Sequence, residues 1–263
     1  MSELPLASLD GALAPAGATY IPVTDEGLLR GDGVFEVIRI YHGRPYALAD
    51  HYARLQRSAD NLRLPVDHDA LAEEVAALLE AVGDVEALLR LVCTRGGRRI
   101  AMVEPLPQRP PVLRLASVTY APTRVLDQVK SLSYAANMLV TRLAQEAGAD
   151  EALLVTPHGR VLEGPTSSFF YVVDGKLRTP PISDHILESI TRRKLIELLD
   201  VEEVETSLDD LAAAEEAFLT STVREVAPVV SIDGRELPAN GPVTANAAAV
   251  LRERIDEELA AAG

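Results

Sequence analysis

The chain reads as an α+β protein of two lobes with a cleft between them. Short alternating strand-like runs, FEVIRIY (35–41), ALLRLVCT (87–94) and PVLRLASVTY (111–120), are interleaved with amphipathic helices in the first part. A Pro-bearing stretch, APTRVLDQVK (121–130), follows a strand and has the character of a connection between lobes. Beyond it, strand pairs with tight turns precede further helices. That order differs from the regular strand–helix alternation of a doubly wound sheet. A length of 263 residues suits one large domain or two modest ones.

The elements follow in order. The run 35–41 ends in the turn HGRPY. The spacing predicts a helix over 50–64, with Asp50 as N-cap and Leu55, Ala59 and Leu62 on one stripe. A second amphipathic helix is expected over 67–82, ended by Gly83. Lys130 is expected to open a helical stretch whose regular part runs from about Ser133 to Ala147, where Gly148 stops it. ALLVT, the turn PHGR and VLEG suggest one hairpin, and SFFYVV, the turn DG and KLRTP another. A helix is expected over 188–199. VEEVET, EAFLTST and VAPVVSIDGREL return to strands, and VTANAAAVLRERIDEELAAA reads as a surface helix. No internal repeat at a solenoid period is found.

Composition excludes some classes. The net charge of -15 argues against non-specific nucleic-acid binding, which needs a basic surface. No stretch approaches 18 uninterrupted apolar residues, so no membrane span is expected. One cysteine, Cys93, allows no intrachain disulfide and fits a reducing, cytoplasmic compartment. Met1 leads into SELPLASLDG with no basic region before an apolar run, so no signal peptide is expected. Trp is absent and aromatics are 4%, so the core must rest on Leu, Val, Ile and Ala.

Residues 130–170 carry the chemistry. A lysine amine such as that of Lys130 can condense with an aldehyde, although a lone lysine is usually a solvated surface charge. Glu163, 33 residues later, precedes a paired-Ser, aromatic strand. Its carboxylate could hold a pyridine nitrogen protonated, or simply sit exposed in a turn. ESITRRK (188–194) offers a helix N-terminus, an anion site by its free N–H groups, with plain capping by Ser189 as the alternative. TSTVRE (220–225) is a hydroxyl-rich turn that could meet a phosphate or bond its own backbone. Arg54, on the 50–64 helix, suits phosphate geometry, or is a surface arginine. RGDGVF (30–35) lacks dinucleotide spacing and reads as a tight turn. His42, His51, His68, His158 and His185 show no metal-ligand spacing, so no metal is expected. No G-x-S-x-G elbow is present.

At these residues the chain resembles the class IV pyridoxal-phosphate enzymes: branched-chain and D-amino-acid aminotransferases, (R)-selective amine transaminases and aminodeoxychorismate lyases. The matched segments are DEGLLRGDGVFEVIRIYHGRPYALADHYARL, KSLSYAANML, GADEALLVTPHGRVLEGPTSSFFYVVDGKLRTPP, ESITRRKLIELL and EAFLTSTVREVAPVVSIDG, in order from about Val23 to Leu237. The resemblance implies fold type IV, with a small N-terminal α/β domain (1–118), a linker (119–125) and a larger, barrel-like cofactor-binding domain (126–263). It implies pyridoxal 5'-phosphate as cofactor and a homodimer. Lys130 would be the cofactor-binding lysine and proton shuttle, and Glu163 the partner of the pyridine nitrogen. Arg54, the Ile190–Thr191 backbone and the Ser221–Thr222 turn would hold the phosphate, with Tyr134 on the cofactor's phenolic side.

The departures bear on substrate. The family's GIT at the phosphate helix is here Ser189-Ile190-Thr191, and Ser168 stands where an Asn is usual. D-amino-acid aminotransferases carry Tyr where this chain has Phe35, and an Arg–His carboxylate trap where it has Arg98 and Arg99. Branched-chain enzymes carry Tyr at the position of Arg30 and an Arg at Arg39. Arg30, Arg39 and Arg98 are therefore candidates for clamping a substrate carboxylate, each with a structural or surface arginine as the alternative, and Phe35 is the pocket candidate beside them. The expectation is an aminotransferase working on a small-molecule amino donor and a keto acid, with D-amino acids or primary (R)-amines favoured. The alternatives are a lyase releasing pyruvate and 4-aminobenzoate from aminodeoxychorismate, and a branched-chain L-amino-acid aminotransferase.

Overall fold

A computed structural model describes residues 4–239 and 241–261, and the chain divides into two compact units. The first holds the chain up to Gln108 together with Val129–Tyr134. The second holds Arg109–Gln128 and the chain from Ala135 onward.

The first unit contains β1 (Leu6–Leu9), β2 (Ala12–Pro15), α1 (Glu26–Arg30), β3 (Gly33–Tyr41), β4 (Arg44–Pro45), α2 (Leu48–Asn61), α3 (His68–Val82), β5 (Ala87–Thr94) and β6 (Arg99–Pro105). Its strands form one antiparallel sheet in the order β2-β1-β6-β5-β3-β4. Alternation along β3 turns Val34, Ile38 and Ile40 into a core completed by Leu89, Leu91 and Val103 of the sheet, and by Leu55, Leu71 and Leu78 of the helices. Asp67 caps α3 by accepting from the Ala70 N–H, and Gly83 ends it at φ 70°.

Two expectations change here. Helix α2 begins at Leu48, two residues before Asp50, because Ala47 turns the chain at a left-handed φ of 52°. Lys130 opens no helix: the Lys130 carbonyl accepts from the Phe35 N–H (3.1 Å), and the Leu132 N–H donates to the Gly33 carbonyl (2.9 Å). A backbone committed to β3 in this way cannot also make helical bonds. Gly33 permits the approach, since a Cβ there would lie 2.6 Å from Leu132 Cδ1 of that segment and 2.5 Å from the Cys93 carbonyl oxygen of β5.

The second unit contains β7 (Leu113–Thr119), α4 (Ala135–Glu146), β8 (Glu151–Val155), β9 (Ser168–Val173), β10 (Lys176–Thr179), α5 (Ile190–Leu198), β11 (Val201–Glu203), β12 (Glu216–Ser221), β13 (Glu225–Ile232), β14 (Arg235–Glu236) and α6 (Pro242–Ala261). The main sheet path is β11-β10-β9-β12-β13-β7-β8, with β14 paired to β13. Strand β7 differs from the expected division at 118. It pairs in parallel with both β13 and β8, so its partners lie far beyond it in sequence and draw it, with 109–128, into the second unit. Phe169, Tyr171, Leu219 and Val229 are buried in the main core, while α4 closes a smaller core over Ala152 and Leu154. Helix α6 lies at the surface with Thr244, Ala247, Leu251 and Ile255 turned inward. No helix among the described residues is long and apolar enough to cross a membrane.

Candidate active site

In the first unit, α2 presents His51, Arg54, Leu55, Ser58 and Ala59 on its buried face, so polar residues share the apolar stripe. Ser58 Oγ accepts from the Lys130 backbone N–H (3.1 Å). Arg54 lies one helical turn earlier, so one rigid element holds both residues. The Lys130 ammonium lies 4.3 Å from the centroid of the Phe35 ring and 5.7 Å from that of Tyr134. Those two rings pack edge to face, 5.2 Å apart. Phe35, Arg54, Lys130 and Tyr134 are thus gathered by β3, α2 and the 129–134 segment.

The inward phase of β3 also carries Glu36, which is fully buried. Arg54 grips it through two bonds, Nε to Oε1 (2.7 Å) and Nη2 to Oε2 (2.6 Å), and His51 Nδ1 lies 2.7 Å from Oε2. Burial alone would push the Glu36 carboxyl up; the charge and hydrogen bonds of Arg54, with those of His51, outweigh it and hold the pKa at about 2. Burial pushes His51 below its ordinary value, the Arg54 and Lys130 charges push the same way, and Glu36 only partly offsets them. The imidazole is therefore neutral near pH 7 and donates from Nδ1 to Glu36. Its Nε2 is buried and has no hydrogen-bond partner among the described residues. Neither Glu36 nor His51 is marked as a site residue by the sequence motifs. The available signal was a glutamate on the apolar phase of a strand, matched by His51, Arg54 and Ser58 at helical spacing.

The three arginine candidates differ in their commitments. Arg39 donates to Glu86 (2.9 Å) and lies over the Tyr41 ring. Arg98 donates to Asp10 (2.6 Å), whose other oxygen accepts from the Arg99 N–H. The Arg30 side chain is 73% exposed and pairs with an i,i+4 neighbour, Glu26, at 2.6 Å. The residue after it, Gly31, accepts from Ser133 Oγ (3.2 Å), which ties the end of α1 to the Lys130 segment.

In the second unit, the Glu163 carbonyl accepts from the Leu154 N–H, and its Oε1 accepts from the Leu187 N–H at 3.1 Å. The same 186–188 segment is held by Gln128, which donates to the Ile186 carbonyl (2.6 Å) and accepts from the Glu188 N–H (2.8 Å). Burial raises the pKa of the Tyr120 hydroxyl, and the Glu163 charge adds to the shift. Immediately beyond, Ser189 caps α5 by accepting from the Arg192 N–H (3.3 Å). The capping satisfies the third N–H of the helix, so the Ile190 and Thr191 amides have no intrahelical acceptor. Both residues are buried. Helix α5 packs on β12, which ends in Ser221, and the Ser221–Thr222 turn leads straight into β13. Ser221 Oγ accepts from the Arg224 N–H (3.2 Å).

Each unit holds groups suited to a phosphorylated pyridine aldehyde: in the first, an amine beside two aromatic rings and a buried guanidinium; in the second, a helix N-terminus and hydroxyl turn, and a carboxylate held by a backbone amide. Among the described residues, no three His, Cys, Asp or Glu side chains gather as a metal-holding group.

Comparison with known proteins agrees. The model of the class IV amino-transferase family matches residues 33–232. A protein of Methanocaldococcus jannaschii, named provisionally as a branched-chain-amino-acid aminotransferase, is 36% identical over 253 residues, covering 86% of this chain and 88% of the relative. The D-alanine aminotransferase of Bacillus licheniformis is 33% identical over 278 residues, covering 95% of this chain and 97% of the relative. A solved fold IV transaminase from Curtobacterium pusillum superposes with a TM-score of 0.85 at 32% identity, covering 97% of this chain and 99% of its own. The chain belongs to the class IV aminotransferases, enzymes of fold type IV that use pyridoxal 5'-phosphate.

Proposed function

We propose that the enzyme moves an amino group from a D-amino acid or a primary (R)-amine to a 2-keto acid, with Lys130 as its catalytic residue. The observation that carries the reading is the pairing of the Lys130 segment with β3, which sets the Lys130 amine against Phe35 and Tyr134. The match to D-alanine aminotransferase, which spans nearly the whole of both chains, supports the donor class. When bound, the cofactor supplies an aldehyde for the amine and a ring that takes up electrons. Lys130 Nζ would take the proton from the donor Cα and later return it, acting as base and then as acid. The rings of Phe35 and Tyr134 limit its water contact. Glu163 would keep a proton on the pyridine nitrogen, with its carboxylate oriented by the Leu187 N–H. Arg54 of the first unit, and the Ile190 and Thr191 amides, Ser189 and the Ser221–Thr222 turn of the second, would bind the phosphate.

Arg30 is the arginine we assign to the donor carboxylate. Its exposed pair with Glu26 is worth only about 0.3–0.5 kcal/mol, so it exchanges readily for a substrate anion. Arg39 and Arg98 are held by Glu86 and Asp10. A homodimer goes with this reading: Leu28 and Leu29 in the first unit, and Met138, Leu139 and Leu143 in the second, are exposed apolar side chains that a second copy would cover. A cytoplasmic setting suits the single, buried Cys93.

The test is a donor panel of D-alanine, D-glutamate, (R)-1-phenylethylamine and L-leucine, each added alone to the loaded enzyme. Loss of the visible cofactor band with the first three and not with L-leucine is expected. A response to L-leucine alone would assign the branched-chain reaction. Release of pyruvate from aminodeoxychorismate without a keto acid would assign the lyase.

A further inference from the structure

We propose that Glu36 and His51 are positioning residues that fix the Arg54 guanidinium in the orientation that receives the cofactor phosphate. The inference rests on the reading of Arg54 as a phosphate ligand. It starts from a cost: a carboxylate on the inward phase of β3 and a guanidinium on the inward face of α2 are both withdrawn from water. Well-packed apolar residues would serve stability as well or better. What an apolar pair cannot do is orient a cation.

The geometry does this in two directions. The bidentate grip at 2.7 and 2.6 Å fixes the guanidinium plane and the direction of its Nη1 corner. His51 Nδ1, at 2.7 Å from Oε2, then fixes the carboxylate, so the chain of restraint runs from His51 through Glu36 to Arg54. All three side chains come from β3 and α2 of one unit, so the arrangement forms with the fold of that unit. A neutral His51 adds no third charge, which leaves the pair balanced before the phosphate arrives. A guanidinium held in this way loses little freedom on meeting the phosphate, and preorganisation of that kind appears as affinity.

The experiment titrates cofactor-free protein with pyridoxal 5'-phosphate and, separately, with pyridoxal, which lacks the phosphate. The variants are Glu36→Gln, His51→Gln, His51→Leu, Arg54→Met and the double variant Glu36→Gln/Arg54→Met. Glu36→Gln should weaken pyridoxal 5'-phosphate about tenfold or more, the loss of roughly one charge-assisted bond, and leave pyridoxal unchanged. In the Arg54→Met background the same substitution should have no further effect. His51→Gln keeps a donor to Glu36 and should bind nearly as the wild type, whereas His51→Leu should be weaker. Equal weakening toward both ligands, or additive effects in the double variant, would overturn the positioning role. If Glu36→Gln does not fold by circular dichroism, the comparison of His51→Leu with His51→Gln decides instead, and equal affinities there overturn the proposal. Arg54→Met that binds both ligands like the wild type would remove the phosphate reading itself. Arg54→Met weakened with Glu36→Gln unaffected would remove the positioning role alone.

Discussion

Glu36→Gln takes one charge out of a fully buried ion pair, and its stability cost follows from two routes. The substituted side chain keeps its volume but turns one acceptor oxygen into an amide N–H₂ that faces the donors of Arg54 and His51. Breaking a buried pair by removing one partner costs roughly 3–5 kcal/mol, because the other charge is left uncompensated. Linkage gives a similar figure. A carboxyl lowered from 4.5 to about 2 on folding contributes roughly 3 kcal/mol, at about 1.4 kcal/mol per pKa unit. The sign is that of a depressed acid: the stability is fully present above pH 4.5 and is lost as pH falls from there through about 2. Urea unfolding of the cofactor-free protein, followed by circular dichroism, measures both. At pH 7 the variant should lose roughly 3 kcal/mol, and below pH 4.5 its stability should fall less steeply than that of the wild type. A loss under about 1 kcal/mol at pH 7, with an unchanged acid limb, would refute the reasoning from a buried, charged pair.

Lys130→Ala should abolish the visible cofactor band and lower turnover by roughly 10⁴-fold or more, and a variant that retained turnover would remove Lys130 from the mechanism. His51 has a folded pKa below 6.5, so the wild type should lose stability as pH falls from 6.5 toward that lower value, and His51→Gln should lose less over the same window. Urea midpoints at pH 7.5 and 5.5 compare the two, and a steeper acid loss in the variant contradicts the neutral buried imidazole. Glu163→Gln, which cannot keep the ring nitrogen protonated, should slow the donor half reaction roughly 100-fold in stopped-flow absorbance. An unchanged rate would mean that Glu163 does not meet the ring. Arg30→Gln should raise KM for D-alanine about tenfold, the equivalent of about 1.4 kcal/mol, while leaving (R)-1-phenylethylamine, which has no carboxylate, unchanged. Equal changes for the two donors would move the clamp to Arg39 or Arg98.

Local signals in the chain carried much of the fold. Gly83 ends α3 where the sequence places its end, and Asp67, the first residue of the expected helix, is its N-cap. The Asp174–Gly175 turn between β9 and β10 has both residues at positive φ, the conformation that a two-residue Asp-Gly hairpin favours. Non-local pairing was not legible. Strand β7 looks like β5 in composition, and only its parallel partners β8 and β13 reveal where it belongs. The segment 130–132 precedes a helix and contains no breaker, yet its backbone is taken by β3. The strands of the β1–β2 hairpin are four residues long, too short for alternation to register. At the site, Lys130 and Glu163 stood out by residue type and by resemblance. Glu36 and His51 did not, because a strand glutamate and a helix histidine read as solvent-facing until β3 and α2 are seen to turn them toward one another.

Borohydride reduction of the purified, cofactor-loaded enzyme, followed by peptide mass mapping, identifies the lysine that carries the cofactor. Reduction fixes a lysine-bound cofactor as a stable adduct. The phosphopyridoxyl mass should appear on Lys130 and on no other lysine. A label on a different lysine, or an unlabelled Lys130 in enzyme that shows the visible band, would contradict the assignment.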